Sequence, residues 1–483
     1  MTNRAIRNAA FLMATQAITW VLTWILIVYL PRYLGDEGFG KLFFATSFAT
    51  LCAMFINLGI NTYLVKEVAR DREQGPDLLA NVLAIELILS VVIAAVMLLI
   101  VRCLNLSDEG AAAALIIGLS LVVGALGSNF SSYFQGLEKS YVPAVALIIE
   151  KVLVTALCVA ALTSGYGLIA VCWIMFLGAV ARVGFMAAAI YRQIPFGLRI
   201  DPKAARTVLA GSAPFLIWVV FSEIYIRIDV VMLQALTTDE VVGWYGAAFR
   251  LYATLLFIPN IFITTVFPAL TRKFANPDES ANVATRRTLN LMLFVCVPVG
   301  LGTTLVAPHI VGLIYGFSQF AHAVENLQIF GFCIVFVCVD VVLGTVLIAN
   351  NKQKAWSYAA ILAALLNPAC NLILIPLSQR ALGNGGYGAA ISTLITEIFM
   401  MAVAIKLMPK GIFTAATLRT TLKSIVAGSA MYLAVLCLPS MAPLMGLIVT
   451  ISLGAFVYLG VALALRVLPK EDTAHLRHAI LSR

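Results

Sequence analysis

The chain has 483 residues, is 62% hydrophobic with only 11% charged residues, and carries 32 Lys and Arg against 23 Asp and Glu, a formal charge of +9. Soluble globular domains carry about 25% charged residues, so no water-soluble fold of this size hides that much apolar surface. The four His and nine Cys form no CxxC or mixed cluster with metal-ligand spacing, which leaves the cysteines as small buried thiols in helix cores and gives no cofactor site.

The predicted class is all-α, a polytopic membrane protein. A bilayer span needs about twenty mostly apolar residues. In chain order such runs fall at 9–31, 41–63, 78–101, 111–134, 141–163, 167–191 and 209–236, then at 241–268, 289–314, 325–349, 355–377, 386–406, 417–439 and 443–467, fourteen in all. The first run follows Arg4 and Arg7 as a signal peptide would, but it is too long and lacks a small-residue cleavage site, so an uncleaved first helix is expected.

Charge between the spans alternates. One set of connections holds Lys66, Arg70, Arg72, Lys139, Arg192, Arg199, Lys203, Arg206, Arg272, Lys273, Arg286 and Arg287, and Lys352, Lys354, Lys406, Lys410, Arg419, Lys423, Arg466, Lys470, Arg477 and Arg483 fall on the same side. The opposite set offers only Arg32, Lys41, Arg102 and Arg380. The positive-inside rule therefore places both termini in the cytoplasm. The same scatter explains the net charge without a basic patch or tail, so nucleic acid is not the partner. No outward connection exceeds about a dozen residues, too short for a folded domain, so function resides in the helix bundle.

A repeat underlies the order of the spans. The first outward turn reads Asp36-Glu37-Gly38-Phe39-Gly40, and 203 residues later another reads Asp239-Glu240-Val241-Val242-Gly243, with Ala45 and Ala248 at matching distances beyond. Spans one to six thus repeat as seven to twelve, giving a lobe at 1–207 and a lobe at 208–410, with 411–483 holding spans thirteen and fourteen and a tail. Six is even, so the lobes share an orientation, the arrangement of transporters with a central cavity.

Ionisable residues near the bilayer centre each cost about 2.5–3.5 kcal/mol on insertion scales and face a partner or water. Span five has Glu150 and Lys151, span six Arg182, span seven Glu223, Arg227 and Asp229, span eight Arg250, and Glu86, Asp340 and Glu397 stand singly. Glu223 and Arg227 share a helix face at i,i+4. Arg182 and Arg250 have no acid three or four residues away, so another helix or a ligand must supply the counter-charge, and a guanidinium suits phosphate oxygens. The acids Glu86, Asp340 and Glu397, with Glu150, Glu223 and Asp229, are candidates either for proton or sodium coupling or for pairing with the arginines. Asn367-Pro368 and Pro376 predict a kink in span eleven.

Tyr33-Leu34-Gly35 through Gly40, Asn57-Leu58-Gly59-Ile60 and Lys66-Glu67-Val68-Ala69-Arg70 resemble the N-terminal signature of polysaccharide-biosynthesis flippases, which move O-antigen or exopolysaccharide repeat units. That family shares a superfamily with the MATE drug exporters and lipid II flippases. In the second half Ile228-Asp229, Gly243-Trp244-Tyr245, Ala247-Ala248 and Phe267-Pro268-Ala269-Leu270 resemble the corresponding pattern. The resemblance implies transfer of an undecaprenyl-diphosphate-linked oligosaccharide to the periplasmic leaflet of a bacterial inner membrane by alternating access. It also implies membrane lipids, a polysaccharide polymerase and chain-length machinery as partners. A cationic cavity would meet the diphosphate, with Arg182, Arg227 and Arg250 as the matching kind of residue, and Lys151 and Arg32 as further cations. Spans thirteen and fourteen resemble the pair that lines a lipid-tail groove in lipid II flippases.

Three rival readings were weighed. A cation-coupled multidrug antiporter of the same superfamily favours an acid-dominated cavity and typically has twelve spans. A membrane polymerase or glycosyltransferase needs a sizeable outward domain. A channel needs a filter loop or a ring of like charge, and neither is evident.

Overall fold

The computed structural model describes residues 3–104, 106–191, 202–275, 280–409, 411–439 and 441–468. Among them every regular element is a helix: α1 (Asn3–Asn57), α2 (Ile60–Arg70), α3 (Gly75–Cys103), α4 (Asp108–Gly136), α5 (Tyr141–Thr163), α6 (Leu168–Tyr191), α7 (Pro202–Leu236) and α8 (Asp239–Leu255). There follow α9 (Phe257–Ala275), α10 (Ser280–Ile314), α11 (Phe317–Ala349), α12 (Gln353–Leu382), α13 (Gly385–Leu407), α14 (Ala415–Leu436) and α15 (Pro443–Ala464). Of the cations used to orient the spans, Arg192, Arg199, Lys410, Lys470, Arg477 and Arg483 lie outside the described residues, as do the side chains of Arg4, Arg7 and Lys203.

All fourteen predicted spans coincide with helices. α1 contains the first and most of the second, broken where Gly35 takes φ 73° and ψ 179°, a conformation that suits glycine. The predicted span 41–63 stops at Leu58 and Gly59, both at positive φ, before α2 begins. The predicted span 241–268 is α8 and α9, interrupted at Leu256. Among the described residues eleven helices have both the length and the hydropathy to cross a membrane. Counting α1 twice and adding α7 and α14, at 35 and 22 residues long enough to cross, gives fourteen.

The chain divides into two compact units, 1–243 and 244–483. In the first, α1 packs on α4, α5 and α7, and α6 packs on α4 and α5. Its core joins Leu64 and Val68 of α2, Val82 of α3, Phe134 of α4, Ala146 of α5 and Met186 of α6. α7, which the repeat assigns to the second lobe, packs on α1, α2 and α3 and so falls in this unit. In the second unit α10 packs on α11 and α12 on α13, while α14 and α15 pack on α10, where Tyr458 Oη donates to the Phe294 carbonyl at 2.8 Å.

The turns at Asp36–Gly40 and Asp239–Gly243 meet within the first unit. A Cβ placed on Gly40 would lie 1.8 Å from the Asp239 carbonyl oxygen, and one on Gly243 would lie 2.1 Å from that of Asp36. The crossing is reciprocal, each glycine facing the carbonyl four residues before its counterpart, as a local two-fold requires. Lys41 beside it is 6% exposed and pairs with Glu37 at 2.6 Å and Glu109 at 3.1 Å. Ser107 caps α4 by accepting from Gly110 N at 3.2 Å, which holds Glu109 in the first helical turn.

One expectation needs correction. Not all the cysteines are unlinked buried thiols: Cys296 and Cys338 are disulfide-bonded, since two tightly packed helices, α10 and α11, bring them face to face, and Cys103 and Cys437 are exposed. In span eleven, where the sequence predicts a kink, α12 runs as one helix through Pro368 and Pro376. There Asn371 Nδ2 donates to Asn367 Oδ1 at 3.0 Å, so one polar side chain occupies another inside the helix.

Candidate binding cavity

Within the first unit the spans enclose a cavity of about 460 Å³, lined from α1, α2, α4, α5, α6 and α7. Its polar lining comprises Thr50, Asn57, Asn61, Ser120, Ser128, Glu150, Arg182 and Glu223, with Gly124 and Ala179 among the small residues that leave the space open. Transmembrane helices approach closely where side chains are small. At Gly178 of α6 an added Cβ would lie 2.3 Å from Val154 Cγ2 of α5 and 3.4 Å from Glu150 Cγ. That close approach positions the acid of α5 against the base of α6.

The counter-charge that the sequence left open for Arg182 is Glu150. Arg182 Nη1 donates to Glu150 Oε2 at 3.4 Å and Nη2 to Ser131 Oγ at 3.4 Å, and the two charged side chains are 24% and 20% exposed. Arg227 Nε donates to Glu223 Oε2 at 2.9 Å, the i,i+4 pair expected on one face of α7. Both arginines near the cavity are thus already neutralised. Two polar atoms of lining residues, Arg182 Nε and Asn61 Oδ1, are buried without a hydrogen-bond partner among the described residues. The side chains of Asn57 and Asn61 make no hydrogen bond among those residues.

The remaining candidates lie elsewhere. Lys151 is half-buried and Arg32 exposed, and neither has an acid partner among the described residues. Asp229 is buried on α7. Glu86 of α3 is wholly buried and accepts a short hydrogen bond from Asn129 Nδ2 of α4. In the second unit Arg250 lies near Tyr315, and Asp340 of α11 lies close to Glu397 of α13, each acid 6% exposed. The structure therefore brings Glu150, Arg182, Glu223 and Arg227 together, and forms a separate carboxyl pair from residues 57 positions apart in sequence. Sequence reasoning missed Asn57, Asn61, Ser120 and Ser128. Asn57 and Asn61 flank the Leu58-Gly59 break, and a polar side chain in an apolar run is the signal that marks them.

Comparison with known proteins places this geometry. The pattern of a polysaccharide biosynthesis protein family matches residues 5–274. No curated protein matches the sequence. By fold, the chain resembles lipid II flippase MurJ in an inward closed conformation, with a TM-score of 0.73 and 16% identity over 99% of this chain and 100% of that one. An inward-facing multidrug resistance MATE transporter of the MOP superfamily gives 0.60 at 13% identity, over 81% of this chain and 94% of that one. A MOP superfamily transporter from Pyrococcus furiosus gives 0.54 at 14%, over 84% and 95%. At these identities the likeness shows the fold, a polytopic helical one shared with MOP superfamily transporters.

Proposed function

This chain belongs to the polysaccharide biosynthesis protein family, and from that premise we propose that it is a flippase for a polyprenyl-diphosphate-linked oligosaccharide. Transfer runs from the cytoplasmic to the outer leaflet of a bacterial inner membrane by alternating access of two repeated lobes, 1–207 and 208–410, with both termini cytoplasmic. The observation that supports it most directly is a cavity of about 460 Å³ with amide, hydroxyl and charged lining among helices long and apolar enough to span a bilayer. A polar recess of that size is expensive in a membrane unless a polar cargo uses it. It falls within the range of small-ligand sites, about 300–1,000 Å³.

The diphosphate is met by cations that no acid already neutralises, for which Lys151 and Arg32 are the candidates. Proton or sodium coupling is assigned to the neighbouring buried acids Asp340 and Glu397, because two carboxylates side by side in an apolar setting repel unless a proton or a cation sits with them.

The test is the leaflet location of lipid-linked oligosaccharide in cells lacking the protein. Accumulation on the cytoplasmic side is expected, relieved by the normal chain and poorly by Lys151→Ala or by Arg182→Ala. Normal outward exposure in the deleted cells, with altered tolerance to cationic drugs, would replace this reading with that of an antiporter.

A further inference from the structure

The first unit's cavity has the wrong chemistry for a phosphate and the right chemistry for a sugar. A phosphate oxygen accepts hydrogen bonds and carries negative charge. In this cavity it would face the carboxylates Glu150 and Glu223 with only Arg182 Nε left to donate, and any fuller guanidinium contact would have to displace Glu150 from Arg182 or Glu223 from Arg227. Leaving either carboxylate partly buried and unpaired is costly. A hydroxyl both donates and accepts, and the lining asks for both. Asn61 Oδ1 is a buried acceptor without a donor, and Arg182 Nε is a buried donor without an acceptor. Asn57 and Asn61 offer amide groups that no described residue engages, and the ion-paired carboxylates keep lone pairs free for hydroxyl donors. Thr50, Ser120 and Ser128 spend their own protons on main-chain carbonyls, at 2.7, 3.4 and 3.2 Å, so their oxygens remain as acceptors.

We infer that this cavity is the glycan subsite, holding uncharged, hydroxyl-rich sugar residues of the cargo through Asn57, Asn61, Glu150 and Glu223, while the diphosphate lies outside it. The inference rests on the flippase reading and deepens it. It makes Asn57 and Asn61 specificity-determining, and it assigns Arg182 the task of holding Glu150 in place and offering one N–H to a hydroxyl.

The test uses the full chain in lipid nanodiscs and three probes: the lipid-linked oligosaccharide pool extracted from the source cells, bare undecaprenyl diphosphate, and inorganic pyrophosphate. Asn57→Ala with Asn61→Ala removes two neutral hydrogen-bonding groups, and affinity for the glycan-bearing lipid is expected to fall about tenfold or more. Affinity for bare undecaprenyl diphosphate should stay within about twofold. A filled variant guards against misfolding. Gly124 lines the cavity, and a Cβ added there meets nothing within 4 Å, so Gly124→Leu should occupy the space without a main-chain clash and abolish the glycan's contribution to binding.

If pyrophosphate or bare undecaprenyl diphosphate competes as well as the glycan-bearing lipid, or if both variants lose the bare lipid equally, the subsite assignment is wrong. The failure of the underlying reading looks different, since the normal chain would then not move lipid-linked oligosaccharide between leaflets at all. Normal transport by the wild type combined with indifferent asparagine variants overturns only the glycan subsite.

Discussion

Substituting alanine at Gly40 tests the crossing of the two repeated turns. The added Cβ would stand 1.8 Å from the Asp239 carbonyl oxygen and 2.9 Å from Gly243 N. Both are main-chain atoms that no rotamer change can move, so the helix ends must separate by more than an ångström. Overpacking of that kind costs about 1–3 kcal/mol, against a gain of about 0.5–1 kcal/mol from replacing glycine by alanine within a helix. A net loss of about 1–2 kcal/mol, and a melting temperature lower by about 1–2 °C, is expected. Gly38→Ala is the control: its Cβ meets only Leu34 Cβ at 3.3 Å, so the helical gain should nearly cancel the crowding. Gly243→Ala repeats the clash from the other side, at 2.1 Å from the Asp36 carbonyl oxygen. Because either substitution already forces the same pair of helix ends apart, the double variant should lose clearly less than the sum of the two. The assay is thermal unfolding of the four variants and wild type in one detergent at one scan rate, since unfolding of such proteins is often irreversible. Strictly additive losses, or a Gly40→Ala melt equal to that of Gly38→Ala, would refute the reciprocal contact.

Three further outcomes follow from the packing. Arg182→Ala strands Glu150 in a partly solvated cavity, and should cost about 1–3 kcal/mol, less than the 3–5 of a fully buried pair. Adding Glu150→Ala should recover part of that loss, and a double variant that melts lower than both singles refutes the pairing. Glu86→Gln keeps an acceptor for Asn129 and should stay within about 1 kcal/mol of wild type, whereas Glu86→Ala opens a cavity and strands the amide, at about 2–4 kcal/mol. Equal melting of these two variants would dismiss the Asn129 contact. Tyr458→Phe deletes one bond to the Phe294 carbonyl and should cost about 1 kcal/mol, seen as weaker anchoring of α15 on α10 by hydrogen exchange in α15.

The fold was legible because the bilayer imposes one strong rule, an apolar run of fixed length, and the predicted spans fall on helices, eleven of which among the described residues meet it in full. What the runs could not show was how breaks divide them. Gly35 bends α1 without ending it, Leu58 and Gly59 end a helix inside an apolar run, and Pro368 leaves α12 whole. Those outcomes depend on whether neighbouring groups take up the freed main-chain atoms, which is tertiary information. Gly40 and Gly243 stand out from their apolar surroundings because their close crossing leaves no room for a Cβ at either. Pairing was legible only where it is local. Glu223 and Arg227 lie one helical turn apart, but the partner of Arg182 is 32 residues away on α5, and Asp340 meets Glu397 across two helices. Asn57 opens the Asn57-Leu58-Gly59-Ile60 motif and Asn61 follows it, yet only the lining of the cavity shows what their amides face.

Neutral pairing also bears on the transport cycle. Moving one elementary charge across the membrane is worth about 2.3 kcal/mol per 100 mV. A cavity of unpaired arginines would carry that charge each time the helices rearranged, empty or loaded. With Arg182 against Glu150 and Arg227 against Glu223, these four residues bring no net charge. Under the proposed cycle these pairs therefore add no voltage dependence to either step, and the potential acts through the cargo and the cations that meet it. Two negative charges leaving an inside-negative compartment at 100 mV gain about 4.6 kcal/mol, a bias of about three orders of magnitude. Proteoliposomes holding a set potassium diffusion potential read this as the steady-state leaflet ratio of lipid-linked oligosaccharide. Abolishing the potential should lower the ratio in wild type. Glu150→Gln, which leaves Arg182 unbalanced, should make both steps more voltage-dependent, opposing the loaded outward step and favouring the empty return at the inside-negative potential. Equal voltage dependence of the empty step in wild type and Glu150→Gln would show that the paired charges do not move through the field as a neutral unit.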